Sequence, residues 1–262
     1  MKLAGVLGHP VSHSRSPAMM NAAFAELGLN WHYVRLPVPS ALFVATVRAL
    51  PASGYLGANV TIPHKVAALE LADEATGAAG AIGAANTLSF TDGAVAADNT
   101  DAGGLLAALG EPVMGSTAMV LGAGGAARGA VWALREAGAE VSVWNRTLTR
   151  AAALAADFGV RQVDRPQAAD VLVNTTSVGL DPATTEEDLI DALWLDGLDP
   201  PATVVDMVYA DGPTPLARWA VRGGGRVVDG LEVLVGQGAL SLEWWTGRPA
   251  PLDVMRRAAR GP

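Results

Sequence analysis

The chain has 262 residues, half of them hydrophobic, with a formal net charge of −8 and no cysteine. That length supports one large domain or two ordinary ones, each able to bury a core. The acidic balance argues against nucleic acid as a main partner, and the lack of thiols excludes disulfides, thiolate zinc sites and a cysteine nucleophile and fits a cytoplasmic protein.

No window approaches the run of about eighteen apolar residues that a membrane-spanning helix needs. The N-terminus reads as a first strand and not as a signal peptide. Residues 3–8 predict that buried strand, and Gly8-His9-Pro10-Val11-Ser12-His13-Ser14-Arg15-Ser16-Pro17 follows it. Ser16 ahead of Pro17 predicts a helix start, a capping hydroxyl with proline at the first helical position. The helix then runs to Gly28. Ser14 and Ser16 alternate about Arg15, so their hydroxyls can face one side; capping accounts only for Ser16. His9 and His13 are four apart, but Gly8 and Pro10 disfavour a helix there and no carboxylate is near, so no metal site is expected.

Residues 31–38 predict a second strand, 40–50 a helix and 55–60 a third strand. That strand delivers Asn59-Val60-Thr61-Ile62-Pro63-His64-Lys65, with a helix over 66–74 beyond it. Pro63 removes a backbone donor and biases Ile62 to an extended conformation. Asn59, Thr61 and Lys65 can then offer an amide, a hydroxyl and an ammonium to one cleft. The chain has two lysines, Lys2 and Lys65, against sixteen arginines. An ammonium can release its proton near neutral pH where its surroundings lower its pKa, and a guanidinium cannot. The alternative is a surface lysine kept by chance.

Strand–helix alternation makes this an α/β layer. Asn86 lies in a loop leading into a strand, and Asp92-Gly93 predicts a hairpin turn. The return strand, 94–97, ends in Asp98-Asn99-Thr100-Asp101. Asn86 can add an amide to the cleft, and Asp101 a carboxylate beside Lys65. Asp101 also suits the N-cap of a helix over 102–109.

A second α/β unit begins in mid-chain. Residues 117–121 predict a strand, followed by Gly122-Ala123-Gly124-Gly125-Ala126-Ala127-Arg128, a helix to Gly138 and a strand over 140–144. The loop matches G-x-G-x-x-G/A in its required strand–helix–strand context. Its glycines permit a tight turn and close approach of backbone N–H groups to a pyrophosphate. The second strand ends in Asn145-Arg146-Thr147, with Arg150 one turn on. Where an NAD site places a carboxylate, two guanidiniums stand that can meet a 2′-phosphate, which predicts NADP. Arginines that merely solvate a helix start would be mildly unfavourable there.

A strand over 170–174 ends in Thr175-Thr176-Ser177-Val178-Gly179, small residues that suit cofactor contact at the C-terminal edge of a parallel sheet. Residues 181–200 are acidic and predict a loop with a short helix. Residues 203–208 predict a strand ending at Tyr209, 213–222 a helix and 226–228 a last strand. A long helix runs from Gly230 past Gln237, which is either a satisfied core glutamine or a substrate contact. The closing helix, 251–260, carries Arg256, Arg257 and Arg260 towards its C-terminal end, where positive charge is favourable.

In order, Ser14-Arg15-Ser16-Pro17, the 59–65 stretch, Ala85-Asn86-Thr87, Asn99-Thr100-Asp101, the 122–128 loop, Asn145-Arg146-Thr147, Asn174-Thr175-Thr176 and Gln237 make a pattern that resembles the shikimate dehydrogenase family over almost the whole chain. The resemblance implies an α/β protein of two domains. These are an N-terminal substrate domain (1–101), a Rossmann-type NADP-binding domain (102–236) and C-terminal helices (237–262) that return to the first. It implies substrate contacts from Ser14, Ser16, Asn59, Thr61, Lys65, Asn86, Asp101 and Gln237, with Tyr209 near the substrate and Lys65 and Asp101 as the catalytic pair. Cofactor contacts would come from Gly122, Ala123, Gly124, Gly125, Ala126, Asn145, Arg146, Thr147, Arg150, Thr175, Thr176, Ser177, Met207 and Gly230. One departure is Met20-Asn21, where the family often has histidine before the asparagine.

The activity implied is reversible, metal-free reduction of 3-dehydroshikimate to shikimate by NADPH, in aromatic amino acid biosynthesis, by a cytoplasmic monomer or homodimer. The rivals are a quinate/shikimate dehydrogenase using NAD, an enzyme of the methylene-tetrahydrofolate dehydrogenase type, and a non-catalytic NADP-binding sensor. The basic turn argues against the first and the pocket's hydroxyls and amides against the second. The third would not need Lys65 and Asp101.

Overall fold

The computed structural model describes residues 1–261. The chain forms two compact units, Met1–Gly104 joined by the segment from Leu234 onward, and Leu105–Val233.

The first unit contains β1 (Lys2–Gly8), α1 (Ser16–Glu26), β2 (Trp31–Pro37), α2 (Phe43–Ala49), β3 (Tyr55–Val60), α3 (Lys65–Glu70), β4 (Glu74–Ala75), α4 (Gly77–Ile82), β5 (Thr87–Thr91) and β6 (Ala94–Asp98). Its sheet has the order β2-β1-β3-β5-β6-β4. The strands β2, β1 and β3 are parallel, β5 runs antiparallel to both β3 and β6, and β4 runs parallel to β6. β1 is an almost continuous apolar run because a central parallel strand is covered on both faces; Ala4, Val6 and Leu7 are buried. The predicted hairpin turn is present, with positive φ at Asp92 and Gly93, as a two-residue turn between twisted strands requires. Asn21 in α1 bonds both backbone groups of Tyr33, which ties the first helix to β2.

Three local expectations change. Ser16 does not cap α1: it is the first helical residue, and its N–H donates to the Ser14 hydroxyl at 3.3 Å. The 40–50 helix is a 3₁₀ turn over Ser40–Leu42 followed by α2. The 66–74 helix ends at Glu70. Asp73 accepts from the Val95 N–H and pairs with Arg48, which draws the chain to the sheet edge as β4. Helix α4 has no clear apolar period; Thr76 caps it by accepting from the Ala79 N–H.

The second unit contains β7 (Thr117–Leu121), α6 (Gly125–Glu136), β8 (Glu140–Trp144), α7 (Leu148–Phe158), β9 (Arg161–Gln162), β10 (Val171–Asn174), α8 (Glu186–Leu193), β11 (Thr203–Asp206), α9 (Pro215–Arg222) and β12 (Arg226–Val228). All its strands are parallel, in the order β12-β11-β10-β7-β8-β9. In chain order within the unit this is the doubly wound arrangement whose direction reverses beside its first strand, here between β7 and β10. Alternate residues feed two cores. Val120, Val143 and Val173 pack with α6 and α7, while Met119, Trp144 and Leu172 pack with α8 and α9. Two-sided burial explains why β7 and β10 read as nearly unbroken apolar runs.

The remaining helices are α5 (Asp101–Leu109), α10 (Gly230–Thr246) and α11 (Leu252–Arg260). The division into units falls inside α5 and α10, a few residues from the joints at 101 and 236. α11 packs on α1, within the first unit. Among the described residues no helix is long and apolar enough to cross a membrane.

Candidate active site

Lys65 opens α3, and the residue before it is anchored. His64 is buried, stacks on Phe43 with ring centroids 4.3 Å apart, and places Nε2 2.7 Å from the Val38 carbonyl oxygen. Lys65 Nζ donates to Asp101 Oδ2 at 2.5 Å, and the two side chains are only 12% and 10% exposed. Such a charged pair is screened less than one at the surface. The other carboxylate oxygen, Oδ1, accepts from Asn86 Nδ2 at 2.9 Å. Asn86 Nδ2 is also 3.1 Å from Gln237 Oε1, and Gln237 Nε2 donates to the Leu234 carbonyl. The orientation of the Asn86 amide is fixed, because its Oδ1 accepts from the backbone N–H of Thr100 at 2.7 Å and a backbone N–H can only donate. Residues from α3, α5, α10 and the loop before β5 thus meet in one hydrogen-bonded set.

Asn59, at the end of β3, belongs to an adjoining buried network. Its Oδ1 accepts from the Tyr33 hydroxyl at 2.8 Å. Its Nδ2 lies within donating distance of Ser241 Oγ (2.9 Å), Thr87 Oγ1 (3.1 Å) and the Asn86 carbonyl (3.3 Å). Both ends of the amide are engaged by the protein itself. The hydroxyls of Thr87, Thr100 and Ser241 lie within 3.1 Å of one another. Sequence reasoning missed Tyr33, Thr87, Thr100 and Ser241 as members of this set. The available signals were adjacency, since Thr87 and Thr100 flank Asn86 and Asp101, and the helical spacing of Ser241 four residues after Gln237.

Ser14 and Ser16 are buried. Arg35 Nη2 and Nε donate to the Ser14 carbonyl at 2.7 and 3.2 Å, which fastens the serine segment to β2. Thr61 N–H donates to the Leu7 carbonyl at 2.8 Å, and His9 N–H to that of Ile62 at 2.9 Å. Any side chain on Gly8 would collide with Thr61, so the ends of β1 and β3 lie side by side.

In the second unit, the loop after β7 turns at Gly122, whose φ of 117° favours glycine. A Cβ there would strike Thr175. Thr175 is held by its N–H and its hydroxyl to the Leu121 carbonyl, at 2.9 and 2.7 Å. Gly124 is the N-cap of α6 and brings no capping side chain, and the space where its Cβ would stand is open. The first N–H groups of α6 therefore have no capping side chain and open space beside them, which fits a pyrophosphate. Asn145 Nδ2 donates to the Thr147 carbonyl at 3.0 Å and shapes the turn after β8. Arg146 and Arg150 beyond it are exposed, with no hydrogen bond or ion pair among the described residues. Two unengaged guanidiniums beside a helix start fit a phosphate. Thr176, Ser177, Met207 and Tyr209 follow β10 and β11. Gly230 packs on the carbonyls of Asp206, Met207 and Val208, each less than 3.0 Å from where its Cβ would be. Among the described residues no group of three or more metal-ligating side chains is placed to hold an ion.

Residues 6–88 match the family described as the shikimate dehydrogenase substrate binding domain. Residues 106–192 match shikimate / quinate 5-dehydrogenase, and 230–260 the shikimate 5′-dehydrogenase C-terminal domain. The chain is 43% identical, over 98% of its length and 95% of the relative's, to the shikimate dehydrogenase (NADP(+)) of Methanothermobacter thermautotrophicus. The structure resembles that of shikimate 5-dehydrogenase from Thermus thermophilus in complex with NADP(H) and shikimate, with a TM-score of 0.87, 41% identity and 99% of each chain covered. It resembles that of shikimate dehydrogenase from Aquifex aeolicus with a TM-score of 0.90 and 35% identity, covering 100% of this chain and 98% of the other.

Proposed function

The chain belongs to the shikimate dehydrogenase family, and we propose that it interconverts 3-dehydroshikimate and shikimate with NADP(H), with Lys65 and Asp101 as its acid–base pair. The observation that carries the assignment of roles is the 2.5 Å contact between the Lys65 ammonium and the Asp101 carboxylate, itself held by Asn86. NADPH, when bound, supplies the hydride that reduces the carbonyl carbon. As negative charge develops on the carbonyl oxygen, Lys65 stabilises it and transfers a proton to it. Asp101 keeps the ammonium in place and accepts hydrogen bonds from the substrate's ring hydroxyls. In the reverse direction Lys65, as the free amine, takes the hydroxyl proton back.

Ser14, Ser16, Thr61, Asn86 and Gln237 bind the carboxylate and hydroxyls of the small ring acid. Asn59 joins them, and its amide also binds Tyr33, Thr87 and Ser241. Recognition by hydrogen bonds supports selectivity, because an analogue lacking a hydroxyl leaves a buried partner unpaired. Tyr209 is a further residue assigned to the substrate. Gly122, Ala123, Gly124, Gly125 and Ala126 hold the pyrophosphate, and Asn145, Arg146, Thr147 and Arg150 hold the 2′-phosphate end. Thr175, Thr176, Ser177, Met207 and Gly230 line the rest of the dinucleotide. The lack of cysteine and the acidic charge fit a cytoplasmic enzyme, acting as a monomer or homodimer.

The test is absorbance at the nicotinamide band with shikimate and NADP⁺, then with quinate or NAD⁺ in place of each. Strong turnover only with shikimate and NADP⁺ is expected. Equal turnover with NAD⁺ overturns the role of the basic turn, and NADP⁺ binding without turnover overturns the substrate.

A further inference from the structure

One buried carboxylate in the second unit has no part in the chemistry above. Asp206 ends β11, is 1% exposed, and accepts three hydrogen bonds. Asn174 Nδ2 donates to its Oδ1 at 2.9 Å, the Val208 N–H to the same oxygen at 3.2 Å, and the Thr214 hydroxyl to Oδ2 at 2.6 Å. Asn174, fully buried at the end of β10, in turn accepts from the Thr176 N–H (3.0 Å) and hydroxyl (2.7 Å). The Thr176 hydroxyl then accepts from the Val178 N–H at 3.1 Å. The two strand ends are also joined directly, Met207 N–H donating to the Asn174 carbonyl at 3.0 Å.

We propose that Asp206 is a positioning residue for the dinucleotide, acting through Asn174 on Thr176 and through Val208 on the turn that carries Met207. The inference rests on the cofactor reading above, in which Thr176 and Met207 touch the dinucleotide.

The reason for a carboxylate at this place is its capacity as an acceptor. An asparagine would fill the same volume without a buried charge, and its Oδ1 could face Asn174 and Val208 while its NH₂ met the Thr214 hydroxyl, but the bonds to both loops would lose their charge assistance. Burial works against the charge, pushing the Asp206 carboxyl up to about 6, and the bonds from Thr214, Asn174 and Val208 pull against that rise. A charge kept at a cost to stability, where it fixes two loops assigned to the cofactor, points to function more than to packing. The third arm differs from the other two. Thr214 is the N-cap of α9, so its bond to Asp206 serves the helix and touches neither loop.

The experiment is calorimetric titration of the folded protein with NADP⁺ alone, in the wild type, Asp206→Asn, Asn174→Ala, their double variant and Thr214→Val. Replacing charge-assisted bonds by neutral ones predicts about tenfold weaker binding in Asp206→Asn. Asn174→Ala is expected to weaken binding likewise, with the double variant no worse than the poorer single one, since the two act in series. Thr214→Val is expected to lower Tm yet bind NADP⁺ within about twofold of wild type, the range of ordinary context effects. The inference is overturned if Asp206→Asn binds as the wild type does, if the two effects add, or if Thr214→Val weakens binding equally. Should Asp206→Asn fail to fold, unchanged binding by Asn174→Ala overturns it too. A wild type that does not bind NADP⁺ removes the cofactor reading and this inference with it, an outcome distinct from the others.

Discussion

Gly104 in α5 lies directly against Gln237 in α10: a Cβ on Gly104 would stand 2.5 Å from the Gln237 backbone nitrogen and 2.8 Å from its Cβ. Gly236 meets Gly104 from the other helix, with its own Cβ position 2.9 Å from the Gly104 carbonyl oxygen. This close crossing brings Gln237 Oε1 within 3.1 Å of Asn86. Gly104→Ala must therefore move backbone, an overpacking cost of about 1–3 kcal/mol, and should raise KM for shikimate by displacing Gln237. Gly103→Ala makes a sharp control. Its Cβ would meet only the tip of Leu240, at 2.7 Å, and a flexible side chain can turn away. Thermal melts and KM values for the two variants check this, and equal losses would refute the distinction.

The Lys65–Asp101 pair sets a second expectation. Lys65→Ala should lower kcat by about a hundredfold or more, the usual scale of proton-transfer help, with KM for shikimate changed much less. Asp101→Asn keeps the shape but removes the charge that holds the ammonium, so it should also lower kcat. A steady-state comparison decides; near-wild-type kcat in Lys65→Ala would remove that residue from the mechanism.

The basic turn after β8 is tested by cofactor preference. Arg146 is exposed and unengaged among the described residues, so Arg146→Ala should cost little stability. It should raise KM for NADP⁺ by about tenfold or more, the loss of one charge-assisted contact, and leave the weaker use of NAD⁺ nearly unchanged. If both cofactors lose equally, the guanidinium does not read the 2′-phosphate.

These residues also show what a sequence can carry. Lys65, Asp101 and the 122–128 loop were legible because each stands in a local context that chemistry restricts: a rare lysine after proline, a carboxylate at a helix start, glycines after a strand. The second unit was legible for a related reason, since fully buried parallel strands write unbroken apolar runs. Asn59 was legible as a residue but not in its surroundings. Its partners Tyr33 and Ser241 lie 26 and 182 positions away, and only the fold brings them together. Helix α4 and the two-residue strands β4 and β9 were missed because tertiary contacts, such as that of Asp73 with Val95, decide them and no periodicity does.

Asp206 gives stability a pH dependence of unusual sign. Its folded pKa is raised to about 6 from an ordinary 3.8, chiefly by burial, so the folded state holds the proton more tightly than the unfolded state. The contribution is most favourable below about 3.8, falls as pH rises towards about 6, and is constant above that. At about 1.4 kcal/mol per pH unit, the total is about 3 kcal/mol. Asp73, Asp170 and Asp188 act oppositely: hydrogen bonds hold them below 3.8, from Arg48, Thr117 and Thr185 respectively. Their stabilisation is present above that value and is lost as pH falls, so the two windows are separate. Asp206→Asn cannot titrate there. Urea unfolding of both proteins across this range should show the wild type losing stability relative to the variant by about 2–3 kcal/mol between pH of about 4 and about 7. A constant difference would mean that the Asp206 carboxyl ionises as easily in the folded protein as in the unfolded chain. The hydrogen bonds from Asn174, Val208 and Thr214 would then fully offset its burial.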